Sequence, residues 1–398
     1  METIAKLKDV AEHMDLEPAE EQPALTAPQQ MRIAPCGQVL SKQQKPTKKV
    51  DLPIYNAKVS GGKTVPLLKT MLTTACERNC FYCPFRAGRN YRRQTFQPEE
   101  LAKAFMDIHR AGAVDGLFLS SGIIKGGVTT QDRLLDTADI LRNKFHFRGY
   151  LHLKLMPGAE KDQVLRGMQL ADRLSVNLEA PNVKRLAMLA PKKQFAEELL
   201  RPLRFANDIR QSLPAHQGWN GRWASTTTQF VVGAVDETDL ELLFISELLI
   251  KKYKLSRIYY SAFNPIKDTP LENLPPENPM RQHRLYQTSY LFRDYGYDLE
   301  EMPFDADGNL PLDEDPKVGW AKENLLHEPV ELNRAEPQTL LRVPGIGPKG
   351  ANRIVWARRR GTLRELRDLQ KIGVQTKRMV PYVLLDGKRP FRQLSLFD

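Results

Sequence analysis

Thr73-Thr74-Ala75-Cys76-Glu77-Arg78-Asn79-Cys80-Phe81-Tyr82-Cys83-Pro84 gathers three of the chain's four cysteines within eight residues, in a C-x3-C-x2-C spacing. The segment follows directly on a β-prone run, 68–74. The cysteines therefore fall at the carboxyl end of a strand, where barrel folds build their sites. Thiolates are soft ligands that suit zinc or iron–sulfur clusters. A structural zinc ion wants four ligands. No His lies between Met14 and Ile108, and His13 and His109 flank that gap without ligand spacing. Cys36 stands alone in a polar segment and reads as an incidental thiol. Three thiolates on a cubane cluster would instead leave one iron open to a small molecule. A secreted disulfide framework does not fit, because it spreads its cysteines through a much shorter chain.

Outward from this segment, short β-prone runs at 68–74, 116–121, 150–156, 173–179, 227–233 and 257–263 alternate with helical patterns at 98–111, 130–144, 162–171, 194–213 and 237–253. Six strands with helix-capable segments between them predict parallel βαβ units. Six is short of the eight that close a full barrel, so the expectation is α/β, a partial (β/α)6 TIM-type barrel. Residues 1–65 are rich in Pro, Gln, Lys and Glu and predict a mostly disordered lead-in with one short helix. The barrel is expected over 66–300, including a helix at 279–295. A proline-rich linker or covering segment is expected over 301–330, a small all-α domain over 331–386 and a tail over 387–398.

The chain has 398 residues and a net charge of +11. Residues 331–398 hold 15 Lys and Arg against 6 Asp and Glu, so +9 of that charge sits in the last sixth. Such asymmetry points to a module that binds a polyanion. No stretch approaches the ~20 apolar residues of a membrane span, and residues 1–21 lack the apolar segment of a secretory signal. A cytoplasmic protein with no membrane association is expected.

The basic module carries a repeat: 343–354 (VPGIGPKGANRI) aligns with 369–380 (LQKIGVQTKRMV) at a spacing of 26 residues. Leu341 to Lys349 reads as a helix-hairpin-helix signature. Gly345 and Gly347 permit the tight turn around Ile346, and Pro348 suits the opening of a second helix. That helix's free N–H groups, with Lys349 and Arg353, offer a site for a backbone phosphate. In the second copy Gly373 matches Gly347 and Lys377 and Arg378 remain available. A protein-interaction helical domain is the alternative. Arg86, Arg89, Arg92 and Arg93, interleaved with Phe85 and Tyr91, form another basic run that either continues a nucleic-acid path or is a solvated or cofactor-side loop.

The cysteine spacing, the strand before it and Tyr82 just before the last cysteine resemble the radical S-adenosylmethionine superfamily. That resemblance spans about residues 65–300. It implies a [4Fe–4S] cluster on Cys76, Cys80 and Cys83, with S-adenosylmethionine at the open iron and Tyr82 against its adenine. Ser120-Ser121-Gly122 stands where the family has a Gly-Gly-Glu motif for the methionyl amino group, but no Glu is present. Asn177 and Glu179 resemble the positions that bind ribose and the methionyl group. The glycine-containing segment around Gly233 and the loop with Phe263 resemble the adenine-contacting ones. His152 and Lys154 alternate on the third strand and face either the substrate or core polar groups.

The whole arrangement resembles DNA modification or repair radical proteins linked to the uracil-DNA glycosylase superfamily. The resemblance implies a 5′-deoxyadenosyl radical delivered to a base of duplex DNA, and an electron donor such as flavodoxin or ferredoxin. It also raises a uracil-DNA glycosylase superfamily protein as a partner. The terminal residues, with Gln393, Leu394, Leu396 and Phe397, resemble the peptide with which DNA-processing proteins dock on the sliding clamp. Two alternatives stay open: modification of a tRNA or other RNA base, and an Fe–S DNA-binding protein without turnover.

Overall fold

The computed structural model describes residues 2–11, 52, 54–58 and 64–390. Cys36 and the terminal Gln393, Leu394, Leu396 and Phe397 lie outside them. The chain divides into two compact units, Met1–Val235 with Phe263–Pro276, and Asp236–Ala262 with Glu277–Asp398. Among the described residues no helix is long and apolar enough to cross a membrane.

The first unit runs α1 (Glu2–Ala11), β1 (Ile54–Lys58), β2 (Thr64–Met71), α2 (Pro98–Arg110), β3 (Gly116–Ser120), α3 (Gly127–Asp139), β4 (Tyr150–Lys154), α4 (Lys161–Leu170), β5 (Arg173–Ser175), α5 (Val183–Leu189), α6 (Arg201–Ser212) and β6 (Ser225–Val232). Helix α1 buries Leu7 and Val10 completely and packs on β2 and α2. Lys6 reaches Glu100 at 2.9 Å. Helix α2 begins where a capping box between Gln97 and Glu100 meets Pro98 at the first turn. Its apolar face buries Leu101, Phe105 and Ile108, the spacing of an amphipathic helix.

Strand β1 pairs antiparallel with β2. Strands β2 to β6 are parallel neighbours in chain order, with Leu68 opposite Leu117, Phe118 opposite His152, Lys154 opposite Ser175 and Ser175 opposite Thr227. Right-handed crossovers between strands that follow one another in order put every connecting helix on the same side of the sheet. Side chains alternate between faces with period two. One face is aliphatic: Leu68, Leu117, Leu119, Leu151, Leu153 and Leu174 are all fully buried. Leu174 packs beside Gly167 of α4. Each such burial contributes about 1.5–3 kcal/mol. The other face is polar and basic, with Lys69, Phe118, His152 and Arg173 in one row and Met71, Ser120, Lys154, Ser175 and Thr227 in the next.

The second unit runs α7 (Asp239–Tyr253), β7 (Arg257–Ala262), α8 (Pro279–Tyr290), α9 (Pro316–Asn324), β8 (Val330–Glu331), α10 (Pro337–Arg342), α11 (Pro348–Arg358), α12 (Leu366–Lys371) and β9 (Val383–Leu384). The sixth expected strand forms as β7, packed on α8. The C-terminal core joins Ala321 and Leu325 with Leu340, Val343, Ile346, Ile354, Leu369 and Met379. It is not purely helical, as the sequence reading expected. Val330 pairs in parallel with Val383, and these β-branched side chains are buried in the same core. The second hairpin also lacks a full second helix. Its place is taken by a short 3-10 turn, Val380–Tyr382, where Pro381 has no N–H and the flanking valines resist helix.

Candidate functional site

The cysteine loop is held from three sides. Behind it, Gly122 N donates to Thr73 O at 2.7 Å and Glu77 N to Ile123 O at 2.8 Å, stitching the loops after β2 and β3 together. A side chain at Gly122 could not fit, because its Cβ would lie 2.2 Å from Ala75 O. On the second side, Arg78 donates to Lys192 O and pairs with Glu198 at 2.7 Å, while Phe81 N donates to Leu189 O. On the third, Arg93 gathers the loop carbonyls. Its guanidinium donates to Thr74 O, Phe85 O, Arg86 O and Arg89 O at 2.7–3.0 Å, and to the Tyr91 hydroxyl. The Tyr91 ring lies 3.8 Å beneath it. The basic run therefore divides. Arg93 and Arg89, which bonds Pro84 O and Lys267 O, are built into the loop, while Arg92 is exposed beside Asp9.

This scaffold sets Cys76, Cys80 and Cys83 along one open cleft. Among the described residues no group of three or more His, Cys, Asp or Glu is arranged to hold a single metal ion. Cys76 Sγ accepts from Arg78 N and Ile123 N, and Cys83 Sγ accepts from Phe85 N, all at 3.4 Å. Burial raises the Cys80 thiol, with Lys193 working the other way.

Tyr82, Ser120, Ser121, Gly122, Asn177 and Glu179 line the same cleft. Glu179 is 2% exposed and sits in the left-handed region at φ 67°, a conformation that costs a non-glycine residue about 1–2 kcal/mol. Its backbone bridges to β6, with Glu179 N donating to Gln229 O and Val231 N to Glu179 O. One carboxylate oxygen pairs with Lys193 Nζ at 2.8 Å. The other, Oε2, is buried and makes no well-formed hydrogen bond, although the carboxylate also lies beside the Tyr82 phenol. Burial pulls the Lys193 ammonium down, but Cys80 and Glu179 more than offset this and hold it protonated. Burial, together with Glu179, keeps the Tyr82 phenol far from ionising.

The polar face of the sheet leads into this cleft. Lys154, Met71 and Gln229 line it directly. His152 lies one residue pair deeper, with Nε2 at 2.9 Å from Ser175 Oγ and its ring edge-on to Phe118. Gly233 and Phe263 do not line the cleft; Phe263 N donates to Val232 O at the end of β6. Arg78 and Lys193, both wall residues, carry no local motif that sequence reading could have used. Their roles depend on segments 100 or so residues apart meeting at the cysteine loop.

In the second unit, Gly345 takes φ 88° in the turn between α10 and α11, and Gly373 takes φ 74° after α12. These two glycines, not Gly347 and Gly373, are structural equivalents. With an offset of 28 residues, buried Ile346 matches Val374, Ala351 matches Met379 and Ile354 matches Tyr382. The register of 26 read from sequence is thereby corrected, and Lys377 falls where Lys349 stands. Lys349, Arg353, Lys377 and Arg378 are all exposed. Arg353 also donates to Gly373 O at 2.9 Å, and Arg378 pairs with Asp315. Ile346 supports the turn from inside. Its side chain is buried, its N–H bonds Val343 O and its carbonyl accepts from Lys317 Nζ at 2.7 Å.

Residues 70–213 match the model of the Radical SAM superfamily, and residues 327–377 match that of the helix-hairpin-helix motif. No curated protein matches the sequence. Similar solved structures include methylornithine synthase (15% identity, TM-score 0.45, covering 57% of this chain and 61% of that one). The FeFe-hydrogenase maturase HydG from Carboxydothermus hydrogenoformans also overlaps (15%, TM-score 0.45, 57% and 51%). A third is the radical S-adenosylmethionine methyltransferase TsrM from Kitasatospora setae (12%, TM-score 0.39, 55% and 39%). The chain thus spans less than two thirds of the length of each. The family matches thus place a Radical SAM domain over residues 70–213, on the parallel sheet that carries the cysteine loop, and a helix-hairpin-helix motif over residues 327–377.

Proposed function

We propose that this enzyme acts on DNA, modifying or repairing a base. One observation carries the reading: a single chain joins the Cys76–Cys80–Cys83 cleft to a basic tail whose helix α11 opens on an exposed Pro348–Lys349. Phosphate contacts of that kind position a nucleic acid without reading its bases.

The residues present fit the implied cofactors. Cys76, Cys80 and Cys83 would hold the [4Fe–4S] cluster, with backbone N–H groups already directed at two of the sulfurs. The buried Glu179 Oε2, which makes no well-formed hydrogen bond, suits the amino group of S-adenosylmethionine, in place of the glutamate missing beside Gly122. Asn177, Ser120 and Ser121 offer further polar contacts, and Tyr82 offers an apolar ring kept neutral by its surroundings. When bound, and given one electron from an external reductant, the cluster and cofactor would supply reductive cleavage of the sulfonium C–S bond to methionine and a 5′-deoxyadenosyl radical able to abstract a substrate hydrogen atom. Lys154 and Gln229 would orient the substrate, while Met71 and Leu199 exclude water from it. A base inside a duplex would have to leave the stack to be reached.

The test is anaerobic reconstitution with a reductant, followed by turnover on lesion-containing duplex DNA and on tRNA. Release of 5′-deoxyadenosine that requires all three cysteines, with altered nucleosides from DNA, is the expected result. Product from tRNA and none from DNA would move the assignment to RNA modification.

A further inference from the structure

We infer that Trp356, with Arg360 stacked on it, is a platform for an unpaired nucleobase. The inference deepens the reading of the tail as a nucleic-acid module and rests on it. It concerns base contact, which the hairpin glycines and Lys349 do not provide.

Helix α11 has two unlike sides. Ala351 and Ile354 are buried in the tail core, and Arg358 turns back to donate to Leu332 O and Ala335 O at 3.1 and 2.6 Å. Lys349, Arg353 and Trp356 follow one another at helical spacing on the exposed side, and Arg360 just past the helix end continues the line. Trp356 is 53% exposed. The chain's other three tryptophans, Trp219, Trp223 and Trp320, are all partly buried. The Arg360 guanidinium lies 3.5 Å from the Trp356 ring centroid. It lies over one face of the ring, and the residue as a whole stays exposed beside it.

Charge selects the occupant. Between Glu336 and Glu365 the sequence holds seven Lys and Arg and no acidic residue. An acceptable partner for this face is therefore a polyanion that also offers flat apolar surface, the combination found in a nucleic-acid strand with free bases. Base–aromatic stacking needs only the π-face that every base has, and arginine adds to it. Lys349 and Trp356 are two helical turns apart, about 10 Å along the axis, so a strand gripped by phosphate at the hairpin can lay a nearby base on the indole. A fully paired duplex keeps its bases stacked inside and cannot use the platform.

The experiment measures binding of the full chain to three probes by fluorescence anisotropy: an oligothymidylate, an all-abasic strand of the same length, and a blunt duplex. Trp356→Ala is expected to weaken oligothymidylate binding about 5- to 150-fold, the range of one stacked base. It should leave the abasic strand and the duplex within about twofold, and Trp356→Phe should keep most of the affinity. Lys349→Glu should weaken all three. Equal losses for thymidylate and abasic strands in Trp356→Ala, or no loss for either, would overturn the platform while leaving the phosphate grip in place. If the unaltered chain binds none of the probes, the nucleic-acid reading of the tail fails, and the platform with it.

Discussion

Replacing Arg93 with alanine tests whether the cysteine loop is pre-shaped by the protein or only by what binds to it. The guanidinium satisfies four backbone carbonyls and one hydroxyl, drawn from Thr74, Phe85, Arg86, Arg89 and Tyr91, and it stacks on the Tyr91 ring. Hydrogen bonds to a charged donor contribute about 1.5–3 kcal/mol each when buried. They are not additive within one network. Because Arg93 is half-buried, water can reach some of the freed carbonyls. The expected loss is therefore about 2–4 kcal/mol, well below the sum of five separate bonds. The loop should loosen before the rest of the domain. Iron and acid-labile sulfide per chain after reconstitution should fall several-fold, and chemical denaturation should report the destabilisation. Arg93→Lys should recover less than half, since an ammonium has three donors and no planar fork. Full cluster content with stability within about 0.5 kcal/mol of the unaltered protein, the range of an ordinary surface change, would refute this account of the loop.

Three further outcomes follow from the geometry. Glu179→Gln strands the buried Lys193 charge and should cost about 3–5 kcal/mol; the double variant Glu179→Gln with Lys193→Met should recover much of it, and equal losses in both would remove the pair's importance. Lys317, drawn down to about 7 by burial with Asp315 working the other way, binds fewer protons folded than unfolded between that value and the ordinary lysine range. Stability of the tail should therefore rise with pH from about 7 towards 10, by up to about 1.4 kcal/mol per unit, and level off below 7, where both states are protonated; in Lys317→Met that slope should vanish from unfolding curves. Lys349→Glu should weaken duplex DNA binding and make the dependence of log affinity on log salt shallower by about one to two, whereas an unchanged salt slope would show that Lys349 does not meet phosphate.

The parts most legible in the sequence were those carried by short spacing. Three cysteines within eight residues, next to a strand, point to one shared site because ligand chemistry and chain geometry are both local, and all three line the same cleft. The strand runs were read within a few residues, since alternating Leu with polar side chains marks a sheet with one face on helices. The tail was legible as a hairpin module because glycine, proline and lysine each have a distinct part in the turn. Its repeat was read two residues out of register, however. Sequence matching aligned Gly373 with Gly347, while backbone conformation pairs it with Gly345, where φ is positive. Burial then brings Lys377 into register with Lys349. The small β8–β9 ladder was missed because two residues per strand leave no periodic signal.

What the sequence determined alone was the kind of chemistry: soft ligands on one short loop, an alternating βα pattern and a basic, glycine-punctuated tail. These depend on contacts within a few residues, which residue types and spacing encode directly. Only the tertiary structure decided which side chains surround the loop. Lys193 and Glu179 meet at Cys80, Arg78 reaches Glu198 across 120 residues of chain, and the arginine run turns inward as Arg93 while Arg92 stays out. Desolvation and hydrogen-bond satisfaction govern those choices, and both depend on neighbours brought together by packing. The cysteines are legible from spacing alone, whereas the buried Glu179–Lys193 pair beside them exists only because packing brings those segments together.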